Sequence, residues 1–478
     1  MQNKTLTYST HIAQIVKLSL LIGFGAFVGL LSLKLSFSVF LIFLVPAVLI
    51  LAWNKEEFGI LLIIIITASI IWENQLPALH TPFGNFHLVD LYLFFSLISI
   101  FIKYYAGKNE SLIRTPLDVP LLIFFGFSVI SMMLAVTVFS VSIRTAFSEL
   151  RIITYYLLFF LVTNLLHTKT QLRRLIHGLY LIAIVVVFFM IAQVLLGTSI
   201  RIIPARVESL LTMGKTYTNT IRVITPGNSL IFVMFLVACC TFIMQKSMRT
   251  IYNFANVIIL GIGLIIGFNR NLWIPAIIGM ILFFFISPKQ CKIRFIGFSV
   301  LMAFVLALVI VFAYITDGKL KNYTESTFIR LFTVTKGNDL VRKDTLIDRI
   351  IENRYAWNEI RSHPVFGIGL GNNYRHDVDW NPKLNAYIHN GFLWILMKTG
   401  ILGFTAFMWF LLAAIVRGFR YWNKGEDSFL NGAYIGFTLA CIGFMLSALV
   451  NPVFMQWHSS PIIGVMLGSN ELIQRLNI

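Results

Sequence analysis

Charge is what this sequence has least of. Asp, Glu, Lys and Arg make up 12% of its 478 residues, against ~25% in a soluble globular protein. Acidic groups are the scarcer kind, 20 against 38 basic ones, which leaves a net charge of +18. Cysteine is nearly absent. Cys239, Cys240, Cys291 and Cys441 lie in apolar runs or in a short basic loop, without zinc-ligand spacing. Neither a disulfide framework nor a metal site is expected from them. The chain also lacks a small-residue cleavage site after its first apolar block, an internal repeat and a low-complexity tract. That first block therefore reads as a retained helix rather than a removed signal. A spanning β-barrel is excluded too, because the apolar residues come in solid blocks and do not alternate with polar ones.

What is present is apolar: 58% of residues are hydrophobic, with a mean hydropathy of +0.83. A helix of about 20 apolar residues crosses a hydrocarbon core. Blocks of that kind fall near 15–33, 35–53, 58–72, 87–103, 119–138, 148–166, 174–196, 224–244, 251–267, 272–287, 294–315, 389–416, 429–449 and 457–474. The fold class is an all-α polytopic membrane protein of about 12–14 transmembrane helices. With Lys4 and Lys17 placed inside, most alternate loops gather Lys and Arg, and most of the short loops between them do not. Loop charge bias thus explains the net charge before nucleic acid does, and both termini are expected in the cytoplasm.

The chain divides into three parts. Residues 1–316 carry the N-terminal spans and an outside loop at 197–222. Residues 317–388 form one large outside loop with a helix at 345–361. Residues 389–478 carry the C-terminal spans. Cations stand on the outside against the rule: Arg201, Arg206, Lys215 and Arg222 in the first loop, and Arg270 in a turn between two spans. Structural ion pairs or an anionic ligand at the membrane surface would account for them. A diphosphate suits arginine, whose planar fork binds phosphate oxygens in pairs and stays charged. For any single arginine an ordinary interfacial position is the plain alternative.

The large loop is far longer than an ordinary connection, and such loops are functional or disordered. Its helix ends at His363-Pro364, as expected before a proline. Gly367-Ile-Gly369-Leu-Gly371 follows, read as a helix stop and tight turn rather than a phosphate cradle, since no strand precedes it. Arg349 and Glu352 are three apart and could pair along the helix. His389 stands where the loop meets the next span. A neutral imidazole there can take a proton from a hydroxyl near neutral pH, since an unperturbed histidine titrates near 6.5. Anchoring the helix end is the alternative role, and His363, His376, His80, His87 and His458 are competing candidates. Asp90 and Glu149 lie at span ends, with Arg144 or Arg151 as expected partners for Glu149. No charge was placed at mid-membrane depth.

Four segments in order resemble the O-antigen ligase and polymerase superfamily of bacterial envelope enzymes. They are Arg222-Val-Ile-Thr-Pro226-Gly-Asn228, Phe268-Asn269-Arg270-Asn-Leu-Trp273, Asp348-Arg349-Ile-Ile-Glu352 leading into Pro364-Val-Phe-Gly367-Ile-Gly369, and His389-Asn390-Gly-Phe-Leu393 running to Gly400-Ile-Leu-Gly403. A glycine intervenes before Asn228, and Asn269 stands where the family commonly has serine. The resemblance covers roughly residues 220–405. It implies a GT-C-like membrane glycosyltransferase that needs no metal or cofactor. Its donor would be a glycan on undecaprenyl diphosphate, and its acceptor a sugar hydroxyl of lipid A–core. The reaction would invert the anomeric centre at the periplasmic face of the bacterial inner membrane, without nucleic acid. His389 would be catalytic, Arg270, Arg349 and Arg222 would bind the donor diphosphate, and Arg206, Glu352, Asn390 and Tyr387 would support them. A repeat-unit polymerase using the same donor is the alternative within the family, and a lipid or polysaccharide transporter the alternative outside it.

Overall fold

Long apolar runs become long helices because a helix satisfies every backbone polar group within one segment. The structure, a computed structural model, describes residues 55–72, 78–82, 84–105, 112–203, 205–212, 215–245, 250–316, 319–332, 343–375 and 385–477. Residues 60–478 form one compact unit, and of the preceding unit, residues 1–59, only 55–59 are described. The expected spans 15–33 and 35–53, and His376, lie outside the described residues.

The helices are α1 (Glu56–Thr67), α2 (Leu88–Tyr105), α3 (Asp118–Thr137), α4 (Ile143–Thr154), α5 (Leu158–Leu165), α6 (Lys169–Leu196), α7 (Asn228–Met244), α8 (Thr250–Gly267), α9 (Arg270–Ile286), α10 (Lys289–Thr316), α11 (Lys319–Phe332), α12 (Lys343–Ser362), α13 (Gly391–Tyr421), α14 (Ser428–Ala448) and α15 (Ser460–Asn477). Among the described residues, six segments are long and apolar enough to cross a membrane: α3, α4 with α5, α6, α10, α13 and α14. Shorter apolar helices lie at Leu88–Ile102, Asn228–Met244, Tyr252–Gly267 and Arg270–Ile286. Each expected span from 58–72 onward coincides with a helix.

At the centre, α14 lies against α7. A Cβ at Gly432 would come within 2.7 Å of the Thr241 Cα, and one at Gly436 within 2.6 Å of the Val237 Cα. Two glycines four apart thus let the backbones touch, the usual means of close packing where lipid removes the hydrophobic drive.

Two short hairpins add to the helices. Ala78–Thr81 (β1) pairs with Gly84–His87 (β2), and Arg206–Thr212 (β3) pairs with Lys215–Ile224 (β4), both antiparallel. The second occupies the loop read as 197–222. Its register sets Glu208 opposite Arg222, a cross-strand pair of opposite charge. The first helix of the large loop, α11, packs on it. Tyr323 donates its hydroxyl to the Ile221 carbonyl at 2.7 Å and accepts from the Ile221 N–H at 2.8 Å.

The second half of the large loop is tied to α13. Gly400 breaks that helix with φ +66° and ψ −173°. The backbone groups freed by the break bond to the glycine run. Ile368 N–H donates to Met397 O (2.9 Å), Gly369 N–H to Lys398 O (3.2 Å), and Ile401 N–H to Pro364 O (2.9 Å). Gly367, Gly369 and Gly371 all have positive φ, and a Cβ on them would strike Met397 O, Ala135 and Ala146 at 2.4–2.7 Å. The run is indeed a turn, and it is also a wedge between α3, α4 and α13.

Lys398 places a charge inside the long apolar helix α13, whereas the sequence reading weighs only mid-membrane depth. Its side chain is fully buried in α13, 3.5 Å from Glu149, and it donates to the Asn372 carbonyl. Glu149 in turn accepts from Gly371 N–H at 2.6 Å. Glu149 therefore pairs with Lys398, and neither Arg144 nor Arg151 is its partner. Arg151 meets buried Asp90 at 3.2 Å, and Tyr155 donates to the same carboxylate at 2.6 Å. Both carboxylates pair across helices because a buried charge is tolerated only when paired and hydrogen-bonded. Lys398→Met is expected to lower unfolding free energy by about 3–5 kcal/mol by leaving Glu149 uncompensated. The Lys398→Met/Glu149→Gln pair should recover most of that loss in a thermal melt of the purified protein.

Candidate active site

His389 sits one residue before Asn390, the cap of α13, whose side chain accepts from Phe392 N–H (3.0 Å) and Leu393 N–H (3.1 Å). Asn390 thus starts the helix and fixes where His389 stands. The His389 Nδ1 lies 2.9 Å from Glu352 on α12, and the His389 backbone N–H donates to the same carboxylate at 3.1 Å. A carboxylate accepts, so Nδ1 carries the proton and Nε2 is left as the basic nitrogen. Glu352 is nearly fully buried, whereas the His389 side chain is 32% exposed. The buried carboxylate holds the imidazole in one tautomer, an arrangement that suits a general base because the carboxylate would also stabilise an imidazolium.

Arg375 is 3.8 Å from the other oxygen of Glu352 and equally buried. Sequence reading missed it. Glu352 faces His389 and Arg375 across the loop, rather than serving Arg349 along its own helix. Tyr387 packs edge-on against the His389 ring at 5.0 Å. Burial pushes its hydroxyl up to about 12; Glu352 adds to that rise and Arg349 opposes it. Arg349 therefore faces the same cluster, and its Nε is buried with no hydrogen-bond partner among the described residues.

A second group forms around the β3–β4 hairpin. Arg222 donates to Asn269 Oδ1 at 2.6 Å and to the Gly267 carbonyl at 3.2 Å, and lies 3.4 Å from Glu208. Arg206 meets Glu208 at 2.9 Å and is exposed. Burial pushes Arg222 down to about 10; Glu208 opposes this, and Arg206 and Arg270 add to it. Two guanidiniums thus meet one carboxylate, and a third, Arg270, lies close enough to Arg222 to act on it. Arg270 is the first residue of α9, where the helix dipole disfavours a cation.

The two groups flank one helix end. Asn271, next to Arg270, donates to Ser447 Oγ at 3.4 Å, while a Cβ added at Gly391 would come within 3.4 Å of the Ala448 Cβ. Ser447 and Ala448 close α14, and Ser229 and Ser459 meet nearby at 2.9 Å. Two of the competing histidines have other partners. His80 bonds Asn85 on the first hairpin, and His363 stacks edge-on with Phe139.

An imidazole held by a carboxylate, beside a surplus of arginines at one end of a helical bundle, agrees with the comparison of families. Residues 255–408 match the family model described as O-antigen ligase. Over that region the chain is similar to the O-antigen ligase family. The matched stretch runs from α8 into α13, about a third of the chain, and holds Arg270, Arg349, Glu352, Arg375 and His389. Arg206, Glu208 and Arg222 precede it and join it through Asn269. No curated protein matches the chain significantly.

Proposed function

We propose that this chain is an O-antigen-ligase-type glycosyltransferase. It moves a glycan from undecaprenyl diphosphate to a sugar hydroxyl of lipid A–core at the outer face of the inner membrane. The observation that carries this reading is His389, with Nδ1 on buried Glu352 and Nε2 left basic, at the same α14 end as the arginine group.

In the reaction, Nε2 takes the proton of the acceptor hydroxyl. The acceptor oxygen bonds the anomeric carbon as its bond to the diphosphate oxygen breaks, which inverts that centre. The electron pair leaves on the diphosphate, where Arg222 and Arg270 offset the growing charge. Positioned arginines supply this electrostatic work, so the reading requires no metal. Arg349 reaches toward the donor from the His389 side. Arg375 and Glu352 keep the imidazole in place, and Tyr387 walls one side of its ring. Arg206 supports Glu208 at the rim.

Glu352→Gln keeps an acceptor for Nδ1–H but removes the charge that stabilises the imidazolium. It is expected to lower kcat about 10- to 10²-fold, as loss of an orienting partner commonly does, with KM for donor unchanged in steady-state assays. The reading itself is tested with protein in nanodiscs in EDTA, given a lipid-linked oligosaccharide donor and two acceptors separately. Transfer to lipid A–core supports a ligase. Growth on a second lipid-linked oligosaccharide makes the chain a repeat-unit polymerase using the same site. No transfer to either overturns the proposal.

A further inference from the structure

The helix that carries Glu352 is inverted relative to an ordinary surface helix. One face of α12 is buried and holds Glu352, Ala356 and Ile360. The opposite face is exposed, yet it carries Ile347 (49%), Ile350 (66%), Ile351 (36%) and Trp357 (47%). Arg354, Asn358 and Arg361 lie between them on that face. The spacing of these residues repeats every three or four positions, so they form one stripe. In water such a stripe would be an unfavourable apolar patch.

The end of α12 shows what covers it. Pro364, two residues past the helix, accepts from Ile401 N–H at 2.9 Å, within the membrane-spanning α13. Ile401 and Leu402 are themselves exposed. His363 rests edge-on at 5.1 Å against Phe139, just beyond the end of the spanning helix α3. Val365 and Phe366, just past α12, and Val138, just past α3, are exposed and apolar as well. The exposed apolar face of α12 thus ends beside two apolar helices long enough to span a membrane.

We propose that α12 is an interfacial helix that lies in the headgroup–acyl boundary of the bilayer. Ile347, Ile350, Ile351 and Trp357 enter the acyl edge, and Arg354 and Arg361 meet anionic phospholipid headgroups. Tryptophan and arginine suit that depth, one for its amphipathic ring and the other for phosphate oxygens. The buried face then presents Glu352 to His389 from a support anchored in lipid. This inference stands apart from the proposed reaction, since it concerns the folded protein in its membrane.

The test uses Ile350→Cys labelled with an environment-sensitive fluorophore, in nanodiscs of phosphatidylcholine and phosphatidylglycerol. The four native cysteines are buried, which favours labelling at the introduced one. Ile277→Cys, on the exposed side of α9, serves as the lipid reference, and Lys424→Cys, in an exposed loop, as the aqueous one. The label at position 350 is expected to be quenched by a nitroxide placed near the lipid headgroup. Iodide should quench it at least about threefold less than the label at position 424. Quenching by iodide as strong as at 424, with none from lipid, would put α12 in water and overturn the proposal. Protection from both quenchers would also overturn it, by showing a protein cover such as a second copy. Arg354→Gln/Arg361→Gln is expected to abolish the rise in lipid quenching with phosphatidylglycerol content. An unchanged rise would remove the headgroup contacts from the account.

Discussion

His389→Ala is expected to lower the transfer rate by about 10²- to 10⁴-fold, the usual worth of a positioned general base. Loss of the imidazole removes the group that takes the acceptor's proton and leaves Glu352 facing Arg375 alone. The donor should still bind, because its diphosphate is assigned to the arginines and not to the base. The expected signature is therefore a fall in kcat with little change in donor KM. Single-turnover transfer at saturating donor is the measurement that reads it. His389→Gln separates base from positioning partner. A side-chain amide can hold a hydroxyl but cannot take its proton, so a rate near wild type would make His389 a positioning residue.

Arg270→Ala and Arg222→Ala are each expected to cost about 10²- to 10³-fold in kcat/KM, comparable to the loss of one electrostatic donor in an enclosed site. Arg270 opens α9. It stands at a helix N-terminus, where the helix dipole disfavours a cation. Arg222 is bound to Asn269, Gly267 and Glu208, and its loss should also loosen the β3–β4 hairpin. Melting temperatures measured beside the kinetics distinguish these effects.

The spans were legible because twenty consecutive apolar residues leave the backbone few other choices in lipid. The position of His389, at the junction of loop and helix, was legible for the same reason. Its partner was not. Glu352 lies 37 residues away, and within its own helix it reads equally well as a mate for Arg349. Arg375 gave no signal, since one arginine in a polar aromatic stretch looks like any other.

Lys398 did give one, a lone lysine inside an apolar run, but its partner Glu149 is 249 residues distant. The β3–β4 hairpin was hidden by context. Its second strand is rich in threonine, tyrosine and β-branched residues, yet an isolated hairpin is marginal alone. Here α11, from another part of the chain, supports it through Tyr323. The glycine run was read as a turn, which it is. What it turns around, the break at Gly400, could only come from the fold.

The central claim is a division of labour, with arginines holding the donor diphosphate and His389 acting on the acceptor. Donor affinity tests it most directly. Binding of the lipid-linked oligosaccharide to wild type, His389→Ala and Arg222→Ala/Arg270→Ala is compared in nanodiscs in EDTA. The account predicts that His389→Ala binds as wild type does without transferring, and that the double arginine variant loses binding while remaining folded. Binding lost in His389→Ala, or retained in the arginine variant, would contradict it.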